Sequence, residues 1–277
     1  MIYKMCITFV YNGNDDIESD FSLILASNRD EFYNRPAQSM ASWKEDPSVY
    51  GGRDLEPGCE GGTWLAVAPT RKKIGLLLNI PGIKKENAKS RGTIVEDFVK
   101  SDIIMADYIE TIQQNCNDFN DFLFVSVELG YPTPIIKSYS NATNTITQWS
   151  DQYIGYGNSL PEKPLEKVEY GKNLLKDICT KYNKANNKDM LIEELLKLLK
   201  NEYRNLPDPQ LESRQPSIYK QLSSIYVKIP EGNYGTRTHT IILVSKLGDV
   251  DLIEITMKSP INIEEPYWER NEFQFKI

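Results

Sequence analysis

One histidine, His239, is all the imidazole this chain has. A zinc or iron site built on several imidazoles is therefore excluded. His239 itself reads either as a satisfied structural side chain or as an axial haem ligand. The four cysteines, Cys6, Cys59, Cys116 and Cys179, lie far apart. They form no C-x-x-C pair, so no zinc ribbon or thioredoxin motif is present. Cys59, Cys116 and Cys179 carry no signal beyond packing. Reaction chemistry falls to Cys, Asp, Glu, Lys, Arg, Ser, Thr or the chain terminus. Cys6 sits in an apolar run, where a lone cysteine reads as a small buried hydrophobe or as a nucleophile. The polar run Asn28-Arg29-Asp30-Glu31 closes a second apolar run, where side chains meet solvent or a pocket. Lys84, Lys85, Lys89 and Arg91 form a basic cluster beside an expected helix start. They suit a phosphate, such as that of coenzyme A, or a solvated loop.

The elements that position these residues follow from hydrophobic periodicity. Residues 5–11 and 21–27 are short buried strands joined by a polar turn, with NRDEF at the end of the second. Pro and Gly across 34–62, including GGRD and GCEGG, predict a long ordered loop with little regular structure. Runs 63–69 and 73–80 are strands about a turn at Arg71–Lys72. Ser90 or Thr93 could cap a helix through IVEDFVK, and a second helix fits IIMADYIETIQQ. Three strands follow at 122–129, 134–140 and 145–150, and YIGYGNSL starts extended and ends in a turn. Helices are predicted over 168–182 and 190–203, the latter with Leu191, Leu195, Leu198 and Leu199 on one face and Asp189 as N-cap. Residues 205–217 read as a loop. SSIYVKI, THTIILVS and DLIEITM end the pattern as three strands. About ten strands and four helices in β, α, β blocks point to an α+β fold of helices over antiparallel sheets, for which a four-layer αββα sandwich is one fit.

With 277 residues, 40% hydrophobic and 26% charged, the chain has the composition of a globular protein able to bury a core without disulfides or metals. Its net charge of −7 is poorly suited to nucleic-acid phosphates or an anionic bilayer. No apolar run reaches the ~20 residues of a spanning helix. The start does not read as a secretory signal or a mitochondrial presequence. Reduced thiols in a cytoplasmic compartment are the expectation.

Several stretches together are distinctive: MCITF, LILASNRDEFYNRP, GG-x-D, GGTWLAV, LLLNI, KSRGTIVEDF, YGNSLPEKPLEKVEYGK and YGTRTHTIILV. With them the chain resembles, over nearly its whole length, the Transport and Golgi organization protein 2 family, also called the NRDE protein family. The resemblance implies one domain over residues 1–277 and an αββα sandwich of the N-terminal-nucleophile hydrolase type. It implies roles in Golgi organisation and protein secretion, cytoplasmic and mitochondrial pools, and lipid, acyl-CoA or haem homeostasis. No cofactor is implied.

A nucleophile at the mature N-terminus uses its own α-amine, which titrates near pH 8, as base and needs no histidine. Cys6 follows Met5, so a chain beginning at Cys6 would carry that pairing. The remaining layout resembles cysteine acylases of the choloylglycine hydrolase type. On that resemblance Arg29 favours the thiolate, Asp30 orients the α-ammonium, Asn79 and Asn158 bind the oxyanion, and Arg237 lies near the nucleophile. Two departures stand against it. Met1–Lys4 precede Met5, and Arg29 and Asp30 are adjacent, so that on a strand they face opposite ways unless the chain turns at Asn28. Asn28–Glu31 could equally build a turn, and Asn79 and Asn158 could be turn formers. The functional expectations are a cysteine amide or thioester hydrolase acting on a small acyl-type ligand, or a non-enzymatic haem or lipid carrier using the same cleft. A third is a scaffold reaching the Golgi through a partner.

Overall fold

The computed structural model describes residues 5–130 and 133–277. Met1–Lys4, on which the expectation about the mature start turns, lie outside the described residues. The elements are β1 (Cys6–Asn12), β2 (Phe21–Phe32), β3 (Ala37–Ser42), β4 (Tyr50–Asp54), β5 (Leu65–Ala68), β6 (Lys73–Asn79), α1 (Gly92–Lys100), α2 (Met105–Gln114), β7 (Phe122–Glu128), β8 (Ile135–Ser140), β9 (Thr145–Trp149), β10 (Tyr153–Tyr156), α3 (Glu166–Tyr182), α4 (Lys188–Leu199), α5 (Pro209–Arg214), α6 (Tyr219–Leu222), β11 (Lys228–Ile229), β12 (Tyr234–Ser245), β13 (Asp249–Met257) and β14 (Trp268–Lys276). The fold is α+β with antiparallel sheets, as expected. Among the described residues no helix is long and apolar enough to cross a membrane.

The chain divides into two compact units, one holding residues up to Asn34 with Asp151–Lys276, the other Arg35–Ser150. In the second unit β3 to β9 follow one another as an antiparallel meander. Helices α1 and α2 bury Ile94, Phe98, Ile109 and Ile112 with Phe122, Phe124 and Tyr139 of its sheet. Lys73 is buried, and its ammonium donates to the carbonyls of Ser101 (2.7 Å) and Ile103 just past α1. A cation there satisfies carbonyls that the helix end leaves without partners.

The first unit orders its strands β10-β1-β2-β12-β13-β14, with β11 beside β12. One sheet face is apolar along most of its strands: Ile7, Phe9, Tyr11, Ile24, Ala26, Ile241 and Ile253 pack with Leu175, Leu191 and Leu195 of α3 and α4. The opposite face changes character along the strands. Its first row across β1, β2, β12 and β13 is Cys6, Arg29, Thr238 and Thr256. The second is Thr8, Ser27, Thr240 and Glu254. The third is Val10, Leu25, Ile242 and Leu252. Two polar rows thus give way abruptly to an aliphatic one.

Four expectations need correction. The NRDE run does not end a strand: β2 continues through Phe32, because β1 and β12 pair with it along its length. Residues 34–62 contain β3 and β4, since the GGRD glycines sit within the ladder where Trp64 and Ala66 approach too closely for a side chain. A strand, β14, follows DLIEITM, whereas SSIYVKI contributes only the two residues of β11. The alternation Phe273–Phe275 within a charged segment hides β14 from a periodicity count. Helix α5 lies inside the expected loop 205–217, capped by the Asp208 carboxylate on the Leu211 amide.

Helix α3 crosses β1 with Gly171 against Phe9. A Cβ at Gly171 would lie 2.1 Å from Phe9 Cζ and 2.4 Å from Phe9 Cε1. Gly to Ala inside a helix ordinarily stabilises by about 1 kcal/mol. Here Gly171→Ala is expected to destabilise by about 1–3 kcal/mol, because the ring is fully buried and must shift. A urea midpoint at or above that of the wild type would show that the close approach is not real.

Candidate functional site

Cys6 opens β1 on the polar face, directly opposite Arg29 of β2. Its backbone N–H donates to Asn158 Oδ1. Asn158 reaches that position because β10 pairs with β1 as far as Thr8–Tyr156, and two more residues bring it level with Cys6. Asn158 is fully buried, and its own carbonyl accepts from Arg214 Nη1 at 3.0 Å. Met5, just before Cys6, is locked into the sheet. Its N–H donates to the Tyr234 hydroxyl at 2.6 Å and its carbonyl accepts from the Asp30 amide at 3.0 Å.

Strand alternation separates Arg29 from Asp30, and the chain makes no turn at Asn28. Arg29 shares the face of Cys6 and faces Glu31, with Nη2 3.6 Å from Oε2. Asp30 points to the helix side. Its Oδ1 accepts from Thr236 Oγ1 at 2.6 Å, and among the described residues Oδ2 has no hydrogen-bond partner. Lys167, fully buried in the first turn of α3, belongs to the same cluster and donates to the Ser224 carbonyl at 3.1 Å. The resemblance to acylases therefore meets a different geometry here. The guanidinium lies beside the cysteine, while the Asp30 carboxylate points to the other face and the Asp30 backbone amide is what acts on the thiol.

The electrostatics follow from burial. Burial pushes the Asp30 carboxyl up to about 6, while Lys167, the Thr236 hydroxyl and Arg29 act against that rise. Burial lowers the Lys167 ammonium, and Asp30, Cys6 and Asp208 pull it back up. Burial of its sulfur pushes the Cys6 thiol up to about 12, although the residue keeps partial exposure, and the Asp30 carboxylate adds to the rise. The Asp30 amide and Arg29 work the other way. With Met5 attached, the Cys6 nitrogen is a peptide amide and the thiol is protonated at neutral pH. Attack then needs a base from elsewhere.

Arg237 is the extra residue of a bulge, since Thr236 pairs with Asp30 and Thr238 with Arg29. The bulge turns Thr236 onto the Asp30 carboxylate. The Arg237 guanidinium donates to the carbonyls of Phe32 (3.0 Å) and Tyr33 (3.5 Å), which ties down the end of β2. Asn79 ends β6 and is carried by the second unit. The basic cluster is engaged as a loop tether: Lys89 pairs with Asp118 at 2.7 Å and Arg91 donates to the Asp121 carbonyl at 2.6 Å.

His239 is a core side chain. It stacks on Trp268 at 5.0 Å between centroids, with Tyr226 at 6.0 Å. Asn28 Nδ2 donates to the carbonyls of Leu199 and Ile225, so Asn28 Oδ1 accepts from His239 Nδ1–H at 2.7 Å. That leaves Nε2 unprotonated and without a hydrogen-bond partner among the described residues. Burial holds the imidazole down at about 3.

Sequence reasoning missed Lys167, Thr236, Tyr234 and the pairing of Met5. A lysine beside Val168 and Gly171, on the apolar stripe of α3, was the one available signal.

A family model described as Transport and Golgi organisation 2 matches residues 5–259. The chain is 38% identical over 262 residues to Transport and Golgi organization protein 2 of Drosophila melanogaster, covering 91% of this chain and 92% of that one. It is 33% identical over 283 residues to the Homo sapiens Transport and Golgi organization protein 2 homolog, covering 99% of each. Among solved structures, Anbu from Hyphomicrobium sp. strain MC1 is similar over 86% of this chain and 82% of that one, at 12% identity and a TM-score of 0.32.

The two buried titrating groups give stability opposite pH dependences. Asp30 is raised from 3.8 to about 6, so between those values the folded state binds its proton more tightly than the unfolded chain. Its contribution falls as pH rises through that window, by about 3 kcal/mol for about two units. His239 is lowered from 6.5 to about 3, so the unfolded chain binds that proton first and stability is lost as pH falls through that window, by roughly 5 kcal/mol. Urea unfolding of Asp30→Asn should gain up to ~3 kcal/mol on the wild type between pH 4 and pH 7. His239→Gln should lose less stability than the wild type between pH 7 and pH 4. Unchanged pH profiles would contradict these assignments.

Proposed function

The chain belongs to the Transport and Golgi organisation 2 family, and we propose that it serves Golgi organisation and protein secretion through a cysteine acyl-transfer site at Cys6. The observation that carries the reading is the grouping at the head of β1. There the Cys6 nitrogen is held by Asn158, the Asp30 amide is held by the carbonyl of the preceding Met5, and one oxygen of the buried Asp30 carboxylate has no hydrogen-bond partner among the described residues. Loss of residues 1–5 would release the Asp30 amide and the Tyr234 hydroxyl and create an α-amine at Cys6.

In this reading the α-amine takes the thiol proton, and Sγ attacks the carbonyl carbon of an amide or thioester. The tetrahedral oxyanion collapses, the C–N or C–S bond breaks, and the α-ammonium returns the proton to the departing amine or thiol. The amine then takes a proton from water, hydroxide adds to the S-acyl carbon, and the carboxylic acid leaves as Sγ recovers its proton. Arg29 lowers the thiol, Asp30 orients the ammonium, and Arg237 fixes the strand end that carries them. Of the two amides expected at the oxyanion, Asn158 is the one this reading uses. The reading carries with it a single domain over residues 1–277. It also carries a four-layer αββα sandwich. It places the protein in the cytoplasm, meeting Golgi or mitochondrial surfaces through a partner.

One observation favours a second reading. With Met5 in place the thiol stays protonated and its nitrogen is an amide. A chain that keeps residues 1–5 would then bind its acyl ligand, lipid or haem without turnover.

The test uses p-nitrophenyl acetate and the intact mass of the protein from its native cell. A chain beginning at Cys6 should release a burst of p-nitrophenol of about one equivalent and gain an acetyl group. Cys6→Ala should lose both while keeping its circular dichroism. A chain retaining residues 1–5 should acetylate at least ten times more slowly. Equal acetylation of Cys6→Ala would remove Cys6 as the nucleophile. Equal rates for the two N-termini would remove the α-amine as the base.

A further inference from the structure

The two-toned face of the first sheet bears on what Cys6 would act on. Starting from the reading of Cys6 as nucleophile, we propose that the acyl group it accepts is short and rich in hydrogen-bonding groups, of the N-acylated amino-acid class, and is not a fatty acyl chain.

Cys6 stands in the first of two consecutive rows whose members on β1, β2, β12 and β13 are all polar. In these rows only Cys6 and Ser27 keep partial exposure, whereas Arg29, Thr8, Thr238, Thr240, Glu254 and Thr256 are buried. The opening onto the sheet is therefore at the Cys6 residue and at the Ser27 hydroxyl diagonal to it, with Arg29 buried beside them. The hydroxyls hold one another in place: Thr8 Oγ1 lies 2.8 Å from Ser27 Oγ, and Thr238 Oγ1 lies 2.7 Å from Thr256 Oγ1. The first aliphatic row, with Val10 and Leu25, lies four residues further along the strands, about 13 Å from Cys6. An alkyl chain attached at the scissile carbonyl would lie against the Ser27 hydroxyl before it met any aliphatic side chain of this face. It would take water from that hydroxyl without offering it a new partner. A short acyl group with an amide next to the carbonyl offers Ser27 a hydrogen-bonding group at the reach of one residue. The helix side of the same sheet shows that this chain builds an aliphatic wall where it needs one.

Two chloromethyl ketones with the same reacting carbon test this, applied to the protein from its native cell. They are the N-acetylglycine derivative and 1-chloro-2-decanone, each rate at Cys6 being read by peptide mass and divided by that reagent's rate with free cysteine. In alkylation Sγ displaces chloride and the thiol proton leaves with it. The N-acetylglycine reagent should react at Cys6 at least ten times faster on this normalised scale. Ser27→Ala should lower that ratio several-fold. A decanone rate equal to or above the polar one overturns the substrate class while iodoacetamide labelling keeps the nucleophile reading standing. So does an unchanged ratio in Ser27→Ala, or a Cys6 that takes iodoacetamide but neither ketone. A Cys6 that refuses iodoacetamide as well overturns the nucleophile reading and this inference with it.

Discussion

Four consecutive polar side chains, Asn28 to Glu31, are buried in the middle of a sheet, and the unbroken extension of β2 sends them alternately to its two faces. Much of the first unit answers that constraint. On the helix side Asn28 is met by His239 and by the carbonyls of Leu199 and Ile225. Asp30 is met by Thr236 and Lys167. On the other side Arg29 stands opposite Cys6 in the first of two rows that contain no aliphatic side chain, and Glu31 pairs with that guanidinium. Burying such groups without partners would cost several kcal/mol. The bulge at Arg237 and the buried lysine of α3 supply part of what they require.

Secondary structure was legible wherever one periodicity dominated. The apolar runs of β1, β6, β7 and β12 and the leucine face of α4 gave their elements directly. The strand nature of NRDE was not legible, because four polar residues in a row look like a turn until their partners on β1 and β12 are known. Nor was β14, whose outward residues are charged as an exposed edge strand requires. Cys6, Arg29, Asp30 and Asn158 were named from a resemblance, and their neighbourhood in the first unit has a physical basis in strand register. Lys167 escaped because a buried lysine on a helix reads as a solvated one until the carboxylate above it is placed. The bulge at Arg237 defeats any argument from alternation, which would have put Arg237 and His239 on one face.

The two faces of this sheet carry different burdens. The helix side holds an aliphatic and aromatic core, with Gly171 allowing α3 to press on Phe9, and it offsets the cost of the polar groups. Register joins the two. Slipping β2 by one residue against β1 would exchange Asn28 and Asp30 with Arg29 and Glu31. A guanidinium would then face the carbonyls of Leu199 and Ile225 beside the imidazole, and a carboxylate would face the cysteine, raising its thiol further. The same slip would turn Ile24 and Ala26 out of the core and bring Ser27 into it. The aliphatic rows therefore hold the chemical rows in place. The packing that stabilises the sheet is also what keeps a cation, and not an anion, beside Cys6.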